Sequence, residues 1–360
     1  MATHTKHKEY SLIAAVIAGI ALIFLNNTTN ITVVIILNIL AISSILYSAF
    51  SVVRHADVLA HRFGEPIGSL ILTLSIVILE VSLISILMLS GSAGATIMRD
   101  TLYSVVMIVM AGLTGAAMLL GGHKYKNLYF NFQGIKHYLI SIIPLAIIVM
   151  VLPAALGGTY TMPQLLVVAF ICLALYIIFL IIQTKTHTTF FVYEDEDEEE
   201  DNDGHHHGKP SPHSNAWHFT FLVIHLVAVI GITKLNASQL EHLFLEFNIP
   251  MALKGTIIAI LTLSPEGLGA ISTTLKNQTQ RAMNLLLGSV VATISLTVPI
   301  VVLISALTGQ QLIMGLDTPS IILLLCTLMV CQSSLSIGKT NAHSGAAHLV
   351  LFIIYIMLLF

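Results

Sequence analysis

Charge is scarce in this sequence. Only 9% of its 360 residues are Asp, Glu, Lys or Arg, whereas a water-soluble domain carries about 25%. That deficit excludes an ordinary soluble protein and leaves nothing to bind nucleic acid. Cysteine is scarce too. Cys172, Cys326 and Cys331 all lie in apolar segments, without the paired spacing of a metal site or a disulfide framework, so they read as packing residues. Two catalytic signatures are missing, the H-E-x-x-H zinc motif and the G-x-S-x-G nucleophile elbow. An intramembrane enzyme therefore has no visible machinery.

What fills the chain is apolar: 56% of residues are hydrophobic and the mean hydropathy is +0.92. With roughly 20 apolar residues needed per membrane crossing, the sequence predicts eleven helices, over 11–26, 31–53, 67–91, 101–122, 138–157, 163–184, 216–236, 249–275, 282–307, 318–337 and 344–360. The expected class is an all-α polytopic membrane protein. The first run follows Lys6 and Lys8 but lacks an A-x-A cleavage pattern, so it reads as a helix rather than a signal peptide. With the N-terminus inside, twelve of the 15 basic residues fall in inner loops; only Arg99, Lys234 and Lys254 lie outside. The positive-inside rule then gives a cytoplasmic N-terminus and a periplasmic C-terminus. The longest loop, 185–215, is cytoplasmic on this reading. It carries the acidic run Glu194–Asp203 and three consecutive histidines, a composition that reads as a solvated, disordered segment or as a weak collector of divalent cations.

The chain also holds a repeat. ILTLS occurs at Ile71–Ser75 and at Ile260–Ser264. Setting the first helix aside (1–30), the rest divides at the acidic loop into 31–184 and 216–360, with five helices each, and each copy lies in the second helix of its half. Odd numbers of helices joined by a cytoplasmic connector place the halves in opposite orientations, the inverted repeat of many secondary transporters.

Each copy is followed by an acid well inside its span, Glu80 and Glu266. An intramembrane carboxylate is expensive and marks a functional site by default. An apolar surround favours the neutral acid and a bound cation the ionised one, so a pair of acids can hold protons or a cation in turn. Pro265, directly before Glu266, leaves the carbonyl of Leu261 without its usual partner. Thr262 and Ser264 add hydroxyls. In the first half, Ser69 and Thr73 share a side of the helix with Glu80. In the ninth helix, Ser289, Thr293 and Thr297 form a stripe at i, i+4 and i+8. Carboxylates, hydroxyls and free carbonyls are ligands for hard cations. Gly112, Gly115, Gly267, Gly269 and Gly288 are expected to serve close packing or bending, and His225 and His348 to be hydrogen-bonded structure. Asp100 lies beside Arg99 at a helix end, where the two can pair.

The stretches SAFSVVRHADVLAHRFGEP (Ser48–Pro66), SLILTLSIVILEVSLIS (Ser69–Ser85), MRDTLYS (Met98–Ser104), LSPEGLGA (Leu263–Ala270) and QRAMNLLLGSVVATISLTVP (Gln280–Pro299) resemble bacterial calcium/proton antiporters of the calcium/cation antiporter superfamily. The resemblance covers nearly the whole chain. It implies two inverted five-helix repeats plus an extra N-terminal helix in a bacterial inner membrane. It also implies export of Ca2+, and in this branch Na+ or K+, in exchange for H+, with no cofactor. The family's acids correspond to Glu80 and Glu266. One departure stands out: the wider calcium/proton exchangers carry Gly-Asn-x-x-Glu, but here Ile76-Val77 and Thr262-Leu263 precede the acids. The expected partners are inorganic cations, protons and the lipid bilayer, with a homo-oligomer allowed. The rival reading is a passive cation channel or uniporter using the same acids as a filter.

Overall fold

The fold is seen in a computed structural model, which describes residues 9–360 except 26–27, 29, 64–66, 90–94 and 194–212. The acidic run and the histidine triplet of the long loop lie outside the described residues. So do the side chains of Ser69, Thr73 and Pro265.

Among the described residues the chain forms eleven helices in succession. They are α1 (Tyr10–Leu25), α2 (Ile31–Phe63), α3 (Ile67–Leu89), α4 (Ile97–Tyr125), α5 (Phe132–Ala155), α6 (Met162–Thr186), α7 (Asn215–Glu246), α8 (Met251–Thr274), α9 (Thr279–Thr308), α10 (Thr318–Ser334) and α11 (Ala342–Leu358). Helices dominate because a lipid-exposed backbone must satisfy its hydrogen bonds internally. Six of them (α2, α4, α5, α6, α7 and α9) are long and apolar enough to cross a membrane, and α8 makes a seventh if its two bent arms count as one span. The others are shorter apolar helices.

Two helices outrun their apolar segments. α2 continues through Arg54, His55 and Asp57 to Phe63, and α7 through Lys234 and Glu241 to Glu246. Hydropathy reports the part that meets lipid, whereas the helix continues wherever local propensity permits. Several ends carry caps. The Ser214 hydroxyl accepts from the Trp217 amide at 3.2 Å, and Asn341 accepts from the amides of His343 and Ser344. Capping satisfies amides that have no partner within the helix.

The loop after α4 is not plain loop. Asn127–Tyr129 (β1) pairs antiparallel with Lys339–Asn341 (β2), just before α11. Hydropathy gives no sign of this short ladder.

The interior is built around α4 and α9. In α4, 78% of the most apolar window is buried, against 33% in α6, so α6 faces outward. The packing has a regular pattern. α3 packs on α9 while α8 packs on α4; α6 packs on α9 while α11 packs on α4; α7 touches α3 while α2 touches α8. Each contact recurs with its partners exchanged between halves. α2 and α7 run against one another, joined at depth by the Asn236 amide donating to Asn38 Oδ1 at 3.0 Å. α1 lies on the outside of this pair.

Candidate functional site

The α8 helix bends by 53° between its arms Ala252–Ser264 and Glu266–Thr274. Proline is the physical cause, since Pro265 has no N–H to bond the carbonyl four residues back. Directly after the bend, Glu266 is 2% exposed. Glu80 on α3 is fully buried, at 0%. α9 carries both of their partners. The Ser289 hydroxyl donates to Glu266 Oε2 at 2.9 Å, and the Thr293 hydroxyl donates to Glu80 Oε2 at 2.6 Å. Ser289 and Thr293 are four residues apart, so they lie on one face of α9, about 6 Å apart along its axis. One helix face therefore gathers an acid from each half of the chain.

The second oxygen of each acid is unsatisfied. Glu80 Oε1 and Glu266 Oε1 are buried without a hydrogen-bond partner, as is the hydroxyl of Thr297 one turn beyond Thr293. Leaving such a group unpaired costs about 1–3 kcal/mol, more if it is charged. No ion pair among the described residues involves either acid. Buried carboxylates without a basic partner need a proton or a metal cation. Ser and Thr hydroxyls suit either state: they can donate to an ionised acid, accept from a protonated one, or turn a lone pair towards a cation.

Two other expected ligands, Thr262 and Ser264, place their hydrogens elsewhere. Thr262 donates back to the carbonyls of Ile258 and Ala259, and Ser264 to that of Ile260. Small hydroxyls inside helices commonly fold back in this way. Their oxygens retain acceptor capacity, and the carbonyl that Pro265 frees, that of Leu261, lies on the same arm. Ser69 and Thr73 lie on α3 with Glu80.

The glycines divide. A methyl group on Gly115 would lie 2.9 Å from His348 Cβ, and one on Gly267 would lie 2.7 Å from Leu113, so both mark close helix approach. Gly269 and Gly288 have ordinary space around them. His348 is structural: its Nδ1 donates to the Met110 carbonyl at 2.7 Å, which leaves Nε2 to accept from Ser334 at 2.8 Å. Met110 lies in a π-helical turn of α4, Met107–Leu113, where carbonyls are freed from the regular ladder. Asp100 is buried and paired with Arg99 at 2.7 Å. It lines a cavity of ≈160 Å³ with Tyr103, Ser104, Asp317 and Tyr355.

His225 is not alone. Its Nε2 lies 3.1 Å from Glu9 Oε2, and His55 Nε2 lies 3.5 Å from the same oxygen. Burial pushes the Glu9 carboxyl up, but the His225 contact and the Arg54 guanidinium outweigh it and hold the group below its ordinary value. The sequence gives little warning of this cluster, because its members come from three distant segments.

The profile of the family described as "Sodium/calcium exchanger protein" matches residues 32–185 and 217–360. The chain belongs to the sodium/calcium exchanger family. This exchanger is 56% identical over 360 residues to the sodium-potassium/proton antiporter ChaA of Escherichia coli (strain K12), covering 100% of this chain and 98% of that protein. Among solved structures, native YfkE matches with a TM-score of 0.72 at 18% identity, covering 97% of this exchanger and 99% of that chain. The H+/Ca2+ exchanger CAX matches at 0.66 with 15% identity, covering 97% and 89%. At such identities the likeness is one of fold, and it assigns the exchanger to the helical membrane architecture of those proteins.

Proposed function

We propose that this exchanger is a secondary active antiporter that moves cytoplasmic cations outward in exchange for protons, with Glu80 and Glu266 as shared cation and proton sites. Family membership makes it an antiporter of cations rather than a channel. The observation that carries the site is the pair of buried acids, one from each half, bonded to neighbouring hydroxyls of α9 and each left with an unpaired oxygen.

The cycle follows from that chemistry. Deprotonated acids open to the cytoplasm take up a cation, and their charge replaces its lost hydration. After the site has turned outward, protons neutralise the acids and the cation leaves. A cation and protons cannot both occupy the same oxygens, so each displaces the other. Two titrating groups allow up to two protons per divalent ion.

The transported ions on this reading are Na+ and K+, as in the name of the Escherichia coli relative, with Ca2+ as in those of the structural neighbours. The absence of Asn three residues before each acid supports a site less committed to Ca2+, because it removes neutral oxygens that a divalent ion would use to complete its shell. The two halves are read as inverted repeats. The exchange of packing partners between them supports this, as do the two matched segments, which begin and end close to the proposed boundaries. The location is a bacterial inner membrane with the N-terminus cytoplasmic.

The test is cation-driven proton flux. In everted vesicles holding an acid interior, adding Na+, K+ or Ca2+ should release protons from the lumen. Transport that no pH gradient can drive uphill would overturn the proposal.

A further inference from the structure

A second cluster of ionisable groups lies at the end of the bundle where α1 begins. Glu9 precedes α1, His55 belongs to α2 and His225 to α7. Their ligand atoms lie within 4.8 Å of one another. Both histidines are at most 1% exposed. The cluster shares no residue with the acid pair of α3 and α8.

The spacing has a chemical meaning. Zinc bonds of about 2.0–2.1 Å in a tetrahedron set neighbouring ligand atoms about 3.3–3.4 Å apart. The two edges that meet at Glu9 Oε2 measure 3.1 Å to His225 Nε2 and 3.5 Å to His55 Nε2. An outer partner is also in place. His55 Nδ1 lies 2.9 Å from Nδ1 of buried His218, and such a contact on the far ring nitrogen fixes the orientation of a metal-binding imidazole. Glu9 Oε1 is buried and unpaired, so the carboxylate has a free oxygen.

A cation already occupies this place. Arg54 Nη2 lies 2.6 Å from Glu9 Oε2 and 3.4 Å from His55 Nε2. The guanidinium thus takes the position that a metal ion would need. The Arg54 side chain is 35% exposed, so it has a path to solvent.

We propose that Glu9, His55 and His225 form a binding site for a borderline transition-metal ion of the Zn2+ class, which Arg54 fills until the metal displaces it. Two imidazoles and one carboxylate prefer such ions to Na+, K+ or Ca2+, so the site differs in chemistry from the transport site. Occupied, it joins α1, α2 and α7 through one ion. The proposal does not depend on which cation the exchanger carries.

The test uses the full chain, purified without a polyhistidine tag and with residues 205–207 changed to alanine, so that the loop histidines do not compete. Co2+ is the spectroscopic probe and Zn2+ the competitor. One Co2+ per chain should bind with visible absorption bands typical of low coordination, and Zn2+ should abolish them. His225→Gln and Glu9→Gln should lose these bands. His218→Ala should weaken binding about 10-fold or more. Arg54→Ala should bind more tightly than the parent, a gain that a misfolded protein cannot give. Absence of binding in Arg54→Ala, or unchanged affinity in His225→Gln, would overturn the proposal.

Discussion

Thr293 donates a hydrogen bond to Glu80 across 213 residues of sequence, at 2.6 Å and fully buried. The donor belongs to the second half of the chain and the acceptor to the first. One turn earlier on the same helix, Ser289 serves Glu266. Glu80 is therefore not a private feature of its own half, and both acids answer to α9.

Replacing either acid by its amide should stop exchange. Glu80→Gln and Glu266→Gln keep the shape but remove the charge that would hold a cation. Removing one partner of a buried charge pair costs about 3–5 kcal/mol, which is a loss of cation affinity of two orders of magnitude or more. Cation-driven proton flux in everted vesicles measures this. Normal exchange by both variants would refute the site.

The hydroxyls should tune rather than abolish. A hydrogen bond to a charged group contributes about 1.5–3 kcal/mol. Thr293→Val should raise the half-saturating cation concentration roughly 10- to 100-fold, while Thr293→Ser restores it. Ser289→Ala should act in the same direction. Equal losses in the valine and serine variants would point to packing at Thr293 instead.

Protons and cations should compete. Because both seek the oxygens of Glu80 and Glu266, lowering the cytoplasmic pH should raise the apparent cation half-saturation while leaving the maximal rate at saturating cation little changed. An initial-rate series across pH in oriented proteoliposomes checks this. A pH effect confined to the maximal rate would contradict a shared site.

Straightening α8 should stabilise the fold and impair transport. Pro265→Ala supplies the missing N–H to Leu261 and removes a residue that costs about 3 kcal/mol inside a helix. The variant should melt at a higher temperature and turn over more slowly, the usual exchange of activity for rigidity. A variant that lost stability would show that the 53° bend is held by its surroundings and not by proline.

Gly115→Ala should destabilise the fold without touching the acids. Its methyl group would lie 2.9 Å from His348 Cβ and 3.0 Å from the Gly345 carbonyl. Overpacking of this kind costs about 1–3 kcal/mol. A lower melting temperature with unchanged cation affinity in the surviving protein is expected.

The helices and the two acids were legible because lipid imposes a strong pattern: long apolar runs, with any charge within them conspicuous. The stripe through Ser289 and Thr293 was legible from its four-residue period. Sequence did not show that Thr262 and Ser264 donate to their own helix, because a hydroxyl near an acid in sequence can still turn to its own backbone. The metal-ligand geometry around His225 was hidden for the opposite reason. Its partners Glu9 and His55 come from separate segments, and a lone histidine in an apolar run carries no period to betray them. The overhangs of α2 and α7 were missed because hydropathy does not register helix made of polar residues.

The small ladder between Asn127–Tyr129 and Lys339–Asn341 bears on how the molecule can move. It fastens the turn after α4 to the turn before α11, one from each half. α3 is meanwhile seated on α9, and α8 on α4. The halves are laced into each other, so they cannot swing apart as two blocks. Alternation has to divide the bundle along another seam. That seam lies where α2 and α7 meet α3 and α8, outside the strapped α4 and α11.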